Sequence, residues 1–234
     1  QVRALMSTRT SGGADLTGDF DLGADGRPAC RVLLEQRLGA PLRWPHQVHG
    51  AAVVRVDQLQ ATDPAPQADA AVSLTPGVPA AGRGGGRLPG LLAPDGGPGV
   101  AAAHAGWRGL AAGVLEATVR QLCEATACEP SRVRAWLGAC IGPQAFEVGA
   151  DVLQAFGHDP DGAASPRFRS ADRTDGSRRW RADLPALARD KLQAAGLSRI
   201  DAGHWCTVTD ASAFFSFRRD RSRGRMAAAI VRLA

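Results

Sequence analysis

The chain has 234 residues, 44% of them hydrophobic and 22% charged, which is enough to bury a substantial core and typical of a soluble globular protein. No apolar run approaches the ~18 residues of a membrane span and no secretory leader pattern opens the sequence, so a cytoplasmic protein with no membrane partner is expected. The net charge of +5 comes from scattered arginines interleaved with acids, Lys191 being the one lysine, which argues against a nucleic-acid partner. The five cysteines, Cys30, Cys123, Cys128, Cys140 and Cys206, are odd in number and lack framework spacing, and therefore read as free thiols.

In chain order, residues 7–14 read as a strand end running into a glycine turn, and Arg31 to Leu38 as a short amphipathic helix. In Pro45-His46-Gln47-Val48-His49-Gly50 the proline discourages a helix, and Val53 to Val56 reads as a strand. His46 and His49 thus stand at a strand entrance. Three apart in extended chain they face opposite ways, so one of the two is expected to reach a site. A proline-containing loop spans 57–68, and Asp69 to Ser73 is a short strand. Residues 80–87 have no periodicity and are dense in glycine, which predicts a flexible or disordered loop. A nucleotide P-loop is excluded there because no lysine-serine or lysine-threonine pair follows.

The stretch Ala101 to Gly109 is the most informative. A strand from Val100 to Ala103 delivers His104, and Gly106 and Gly109 leave bare backbone around Trp107 and Arg108 for a ligand to approach. A helix follows from Leu110 to Ala127, then a strand at Val133 to Leu137, a helix at Glu147 to Phe156, a polar loop at 157–179 and a helix at Asp183 to Ala195 that Gly196 stops. A strand from Met226 to Leu233 ends the pattern. Alternating strands and helices predict α/β or α+β architecture in one domain, 1–234. Cys123 and Cys128 read as buried helix residues and Phe214, Phe215 and Phe217 as strand core, while Cys140, between a strand and Gly142-Pro143, is a candidate pocket thiol.

His46-Gln47-Val48-His49-Gly50, Ala68-Asp69-Ala70, His104 to Gly109, Ile141-Gly142-Pro143, Cys206-Thr207 and Phe215 to Asp220 with Gly224-Arg225-Met226 resemble, in the same order, the laccase-domain (polyphenol oxidase-like) family of purine nucleoside phosphorylases. The resemblance implies a layered sandwich of β-sheets flanked by helices. It also implies a zinc site with His49 and His104 as metal ligands, and phosphorolysis of adenosine and inosine with added adenosine deaminase activity. The substrates would be a purine nucleoside and phosphate, and the protein a monomer or small homo-oligomer. Arg108 joins the two histidines as a catalytic candidate, and Arg218, Arg219 and Cys140 are candidates for binding substrate or phosphate. The alternative implied by the family's older label is a copper-dependent phenol oxidase, which five histidines suit poorly.

In one respect the chain departs from the resemblance. The position expected to hold a third, cysteine ligand is Arg87, preceded by Gly84-Gly85-Gly86. A guanidinium stays protonated and offers no lone pair. Three explanations stand: a local error in the sequence, a divergence that leaves a metal-free or inactive protein, or a different thiol, Cys140 or Cys206, serving as ligand. A cysteine hydrolase would meet the same arginine where its nucleophile belongs, and a non-catalytic relic that binds a nucleoside or a protein is the rival from another class.

Overall fold

A computed structural model describes residues 1–13, 19–23, 26–60, 62–163 and 165–234, so the expectations for residues 14, 61 and 164 fall outside it. The elements in chain order are β1 (Val2–Met6), α1 (Pro28–Leu38), β2 (Val53–Arg55), β3 (Ala70–Ser73), β4 (Ala80–Gly84), β5 (Leu88–Pro94) and β6 (Val100–Ala105). They continue with α2 (Trp107–Ala111), α3 (Val114–Thr126), β7 (Val133–Leu137), β8 (Glu147–Val148), α4 (Ala150–Ala155), β9 (Phe168–Ser170), β10 (Trp180–Ala182), α5 (Leu184–Ala194), β11 (Arg199–Ala202), α6 (Phe217–Asp220) and β12 (Met226–Arg232).

Four layers result. A six-stranded sheet, ordered β11-β7-β5-β6-β3-β2, packs face to face on a three-stranded sheet, β1-β12-β4. Leu91, Val100 and Ala102 from the first meet Ala80, Ala228 and Ile230 from the second in the seam between them. The outer face of the large sheet is covered by α3 and α5, whose Leu115, Val119, Leu122 and Leu192 pack on Val72, Leu92, Ala101 and Ala103. The outer face of the small sheet is covered by α1 through Cys30, Leu34 and Leu38 against Ala81, Ala227 and Ala229. The expected sandwich of sheets flanked by helices is therefore the fold. A third sheet, β8-β10-β9, takes one strand, β9, from the polar stretch read as loop at 157–179 and its other two from either side of it. No helix among the described residues is long and apolar enough to cross a membrane.

Four expectations need correction. Residues 80–87 are not disordered: Ala80 to Gly84 pairs in register with Met226 to Ile230, and the turn at 85–87 carries the chain into β5 and the other sheet. Periodicity failed there because only Ala80 and Ala81 carry apolar side chains into the layers, while Gly82 and Gly84 beside His104 have none to alternate. The helix expected from Leu110 is two, broken where Gly113 adopts φ +88°, a conformation glycine accepts without strain. Phe214 and Phe215 are buried, but in a loop, and Phe217 opens a one-turn helix 47% exposed. Cys128 lies past the end of α3, half-buried like Cys123, with the two sulfurs 3.6 Å apart; all five cysteines are free thiols.

The seam between the sheets is thin because its strands carry small residues. We expect Ala102→Leu, which forces three extra carbons into a site only 4% exposed, to cost about 1–3 kcal/mol in urea denaturation. Val48→Ala, at an exposed position, should stay within about 0.5 kcal/mol of the parent.

Candidate metal centre and cationic cavity

Strand β6 alternates its side chains. Ala101, Ala103 and Ala105 face the helices, whereas Val100, Ala102 and His104 face the small sheet. Strand β4 packs alongside His104: a Cβ at Gly82 would touch the His104 Cβ at 3.9 Å and one at Gly84 the ring at 3.9 Å, both ordinary contact distances. His104 is 5% exposed and hydrogen-bonds the Arg83 backbone. Its Nε2 has no partner, so that bond runs through Nδ1–H and leaves the Nε2 lone pair free.

Asp69 ties the second histidine to the first. Its main-chain carbonyl accepts the His104 N–H at 2.7 Å. Its Oδ2 accepts the N–H groups of Val48 at 3.1 Å and Gly50 at 2.8 Å, one on each side of His49. That clasp holds His49 at φ +65°, a left-handed conformation that costs a non-glycine residue about 1 kcal/mol. The His49 ring consequently lies 5.8 Å from that of His104, with Nδ1 3.9 Å from Asp69 Oδ1. His49 Nδ1, Asp69 Oδ1 and His104 Nε2 are all buried and unpartnered, and their ligand atoms lie within 4.8 Å of one another. Burial, and next the nearby Arg87 charge, hold both imidazoles below the usual histidine range, His104 at about 3. Both are neutral at pH 7 and present lone pairs. Three such atoms around one point are the donor set that a divalent ion takes.

Two cavities meet at this triad and share His49, Arg87, Phe217 and Arg225. The smaller, about 270 Å³, has an apolar floor of Ile141, Phe146 and Leu184 and carries Arg108 and Arg218 on its rim. The wider, about 520 Å³, adds His104, Arg83 and Arg223. No aspartate or glutamate lines either one among the described residues. The turn Gly85-Gly86-Arg87 forms their common wall, pinned by Phe217 N–H to the Gly85 carbonyl at 3.1 Å and by Ile141 N–H to the Gly86 carbonyl at 2.7 Å. Gly86 sits at φ +119°, outside the range of residues with a side chain.

Of the sequence-derived candidates, His49, His104, Arg108 and Arg218 come together here. Arg108 stacks on Trp107 at 4.3 Å, and Arg218 lies over Phe146 while donating to the Glu147 carbonyl. Arg219 turns away: its guanidinium donates to the carbonyls of Thr207, Val208 and Phe214 and pairs with Asp220, a structural tie. Cys140 is fully buried in the core and lines neither cavity, so the pocket thiol is corrected. Cys206, bridged to Cys140 in the backbone, lines neither as well. His49 is the histidine of its pair that reaches the triad, while His46 stands exposed at the wider cavity. Asp69, Arg225 and Phe217 acquired no role from the sequence. The sequence signals for Asp69 were its place in the Ala68-Asp69-Ala70 motif and its position directly before a buried strand.

The chain belongs to the multi-copper polyphenol oxidoreductase laccase family, whose model matches residues 28–233. Among its relatives, "Purine nucleoside phosphorylase PA4543" of Pseudomonas aeruginosa is 40% identical over 98% of this chain and 93% of its own length. "Purine nucleoside phosphorylase YfiH" of Escherichia coli is 42% identical over 80% of this chain and 72% of its own. Among solved structures, Neisseria meningitidis protein NMB0706 superposes with TM-score 0.84 at 36% identity, covering 100% of this chain and 95% of that one. YlmD from Geobacillus stearothermophilus does so at 0.82 and 27% identity, covering 100% and 92%.

The thiols allow a direct check of this layout. Partial burial raises the Cys206 thiol, but hydrogen bonds from Thr209, Gly142 and Val208 outweigh it and bring the group below the ordinary cysteine range. Cys140 is pushed far up by burial, and Cys123 to about 12 by burial and its neighbour Cys128. Alkylation by iodoacetamide near pH 8, followed by peptide mass spectrometry, should modify Cys206 ahead of Cys123 and leave Cys140 untouched in the folded protein.

Proposed function

We propose that the protein is a purine nucleoside phosphorylase, splitting adenosine and inosine with inorganic phosphate, and that the same site deaminates adenosine. The observation that carries the reading is a cavity rimmed by arginines, with no carboxylate among the described residues of its wall and with an exposed aromatic, beside three buried lone pairs. The names of the relatives support the same reaction.

Phosphorolysis needs a phosphate oxygen set against C1′ of the ribose while the bond from C1′ to the purine nitrogen breaks. Arg108 and Arg218 hold the phosphate, since planar guanidinium groups match its oxygens in pairs. Arg108 is braced for this by Trp107 and Arg218 by the Glu147 carbonyl, so little freedom is lost on binding. Phe217 presents a ring face on which a purine stacks, and Ile141, Phe146 and Leu184 exclude water from the reacting bond. A divalent ion, zinc in this reading, held by His49 and His104 with Asp69 beside them, would supply a Lewis-acid charge and a water acidic enough for deamination. Asp69 keeps both histidines oriented through its backbone and carboxylate contacts. Copper-dependent phenol oxidation is less well supported, because a multicopper centre needs several ligand sets and a single His/Asp cluster is present among the described residues.

The test is incubation with adenosine and phosphate, separating adenine, inosine and hypoxanthine by chromatography. Base release should require phosphate and fall at least ~100-fold in His104→Gln, as for loss of a group that stabilises the transition state. Arg108→Ala should raise the KM for phosphate by roughly 10-fold, the effect of losing one charge-assisted contact. Base release without phosphate, or unchanged in His104→Gln, would defeat the reading.

A further inference from the structure

We infer that the divalent ion and inorganic phosphate bind this site cooperatively, with Arg87 as the residue that couples them. The inference rests on the reading of His49, Asp69 and His104 as a metal site. Those three side chains carry one negative charge between them, so an ion of charge +2 leaves the centre positive. Around it stand Arg83, Arg87, Arg223 and Arg225, all lining the wider cavity, with no carboxylate in its wall among the described residues. A metal ion alone is therefore held against a field of like charge that an oxyanion would offset, while an oxyanion alone faces the buried, unmet carboxylate oxygen of Asp69, whose charge the ion would offset. Each ligand removes the obstacle to the other.

Arg87 is singled out by its bonding. Arg83 donates to the Leu22 carbonyl and lies over Trp44, Arg225 donates to the Ser222 and Gly224 carbonyls, and Arg223 is also engaged. Arg87 makes no hydrogen bond among the described residues and no ion pair, although it lines both cavities and its charge reaches His49, His104 and Asp69. Its stem lies along Gly106, where a side chain would begin only 3.0 Å from the arginine Cδ, so the backbone leaves a berth for it. The pinned turn at 85–87 fixes its base. A guanidinium held in place with all its donors unspent, next to a set of unpartnered metal-binding atoms, suits an oxyanion that touches both. Binding linkage then requires that phosphate tighten the ion and the ion tighten phosphate by the same factor.

The experiment uses the full chain, stripped of metal by dialysis against a chelator. Zinc affinity is measured by competition with a chromophoric chelator, in phosphate and in chloride at equal ionic strength. Phosphate should tighten zinc roughly 10-fold in the parent, within the usual range of coupling between sites. In Arg87→Ala, checked for folding by circular dichroism, the phosphate effect should shrink below about 2-fold while zinc still binds in chloride, at equal or greater affinity because a like charge is gone. Arg87→Lys, which keeps the charge but loses the fork, should fall between them. Zinc affinity indifferent to phosphate in the parent, or coupling undiminished in Arg87→Ala, overturns the inference and leaves the metal site standing. No zinc binding in either buffer overturns both. Base release from adenosine, assayed separately, reports on the proposed reaction independently of either outcome.

Discussion

The Asp69 carboxylate and carbonyl form the junction on which the site depends. One oxygen clasps the turn that carries His49, and the main-chain carbonyl receives the N–H of His104. The remaining carboxylate oxygen is left to face both rings. A buried acid costs several kcal/mol unless its charge is met, and here two backbone N–H groups and the nearby guanidinium of Arg87 meet it only in part. That unmet fraction is a standing demand for a cation, and it sits among groups that demand an anion. The site thus sets one unmet carboxylate oxygen within a ring of arginines.

The sandwich serves this junction in a specific way. Strand β6 presents alanine and His104 to the small sheet, and the glycines of β4, Gly82 and Gly84, lie at ordinary contact distance from His104. Histidine between sheets is desolvated and stays neutral, which is the state a metal requires. The helices α3 and α5 make the face behind β6 rigid, so the position of His104 is fixed by the hydrophobic core rather than by polar contacts alone.

Much of this was readable from the residues. The strand delivering His104, the strand beginning at Val53 and the helix stopped at Gly196 follow from patterns whose cause is local, apolar alternation and glycine stops, whereas the pairing of His49 with His104 came from the family resemblance and not from local pattern. The segment at 80–87 was illegible because its glycines serve a neighbour across the seam, and periodicity records only a strand's own burial. Arg219 and Cys140 misled for a related reason. Each belongs to a suggestive cluster, yet carbonyl partners capture one and the core encloses the other. Asp69 stayed unassigned because its work is done on backbone groups that no side-chain motif reveals.

The central strand of the small sheet is β12, paired on one side with β1 and on the other with β4. Its neighbours were synthesised far earlier, and neither can pair with the other in its absence. A chain emerging from the ribosome can therefore assemble the large sheet and its helices while one side of His104 is still open to water. The histidine acquires its neutral, enclosed state only when residues 226–232 slot between two waiting edges. Such long-range closure is slow compared with helix formation. The enclosure of His104 is thus a late event in the life of each molecule, completed when residues 226–232 reach β1 and β4.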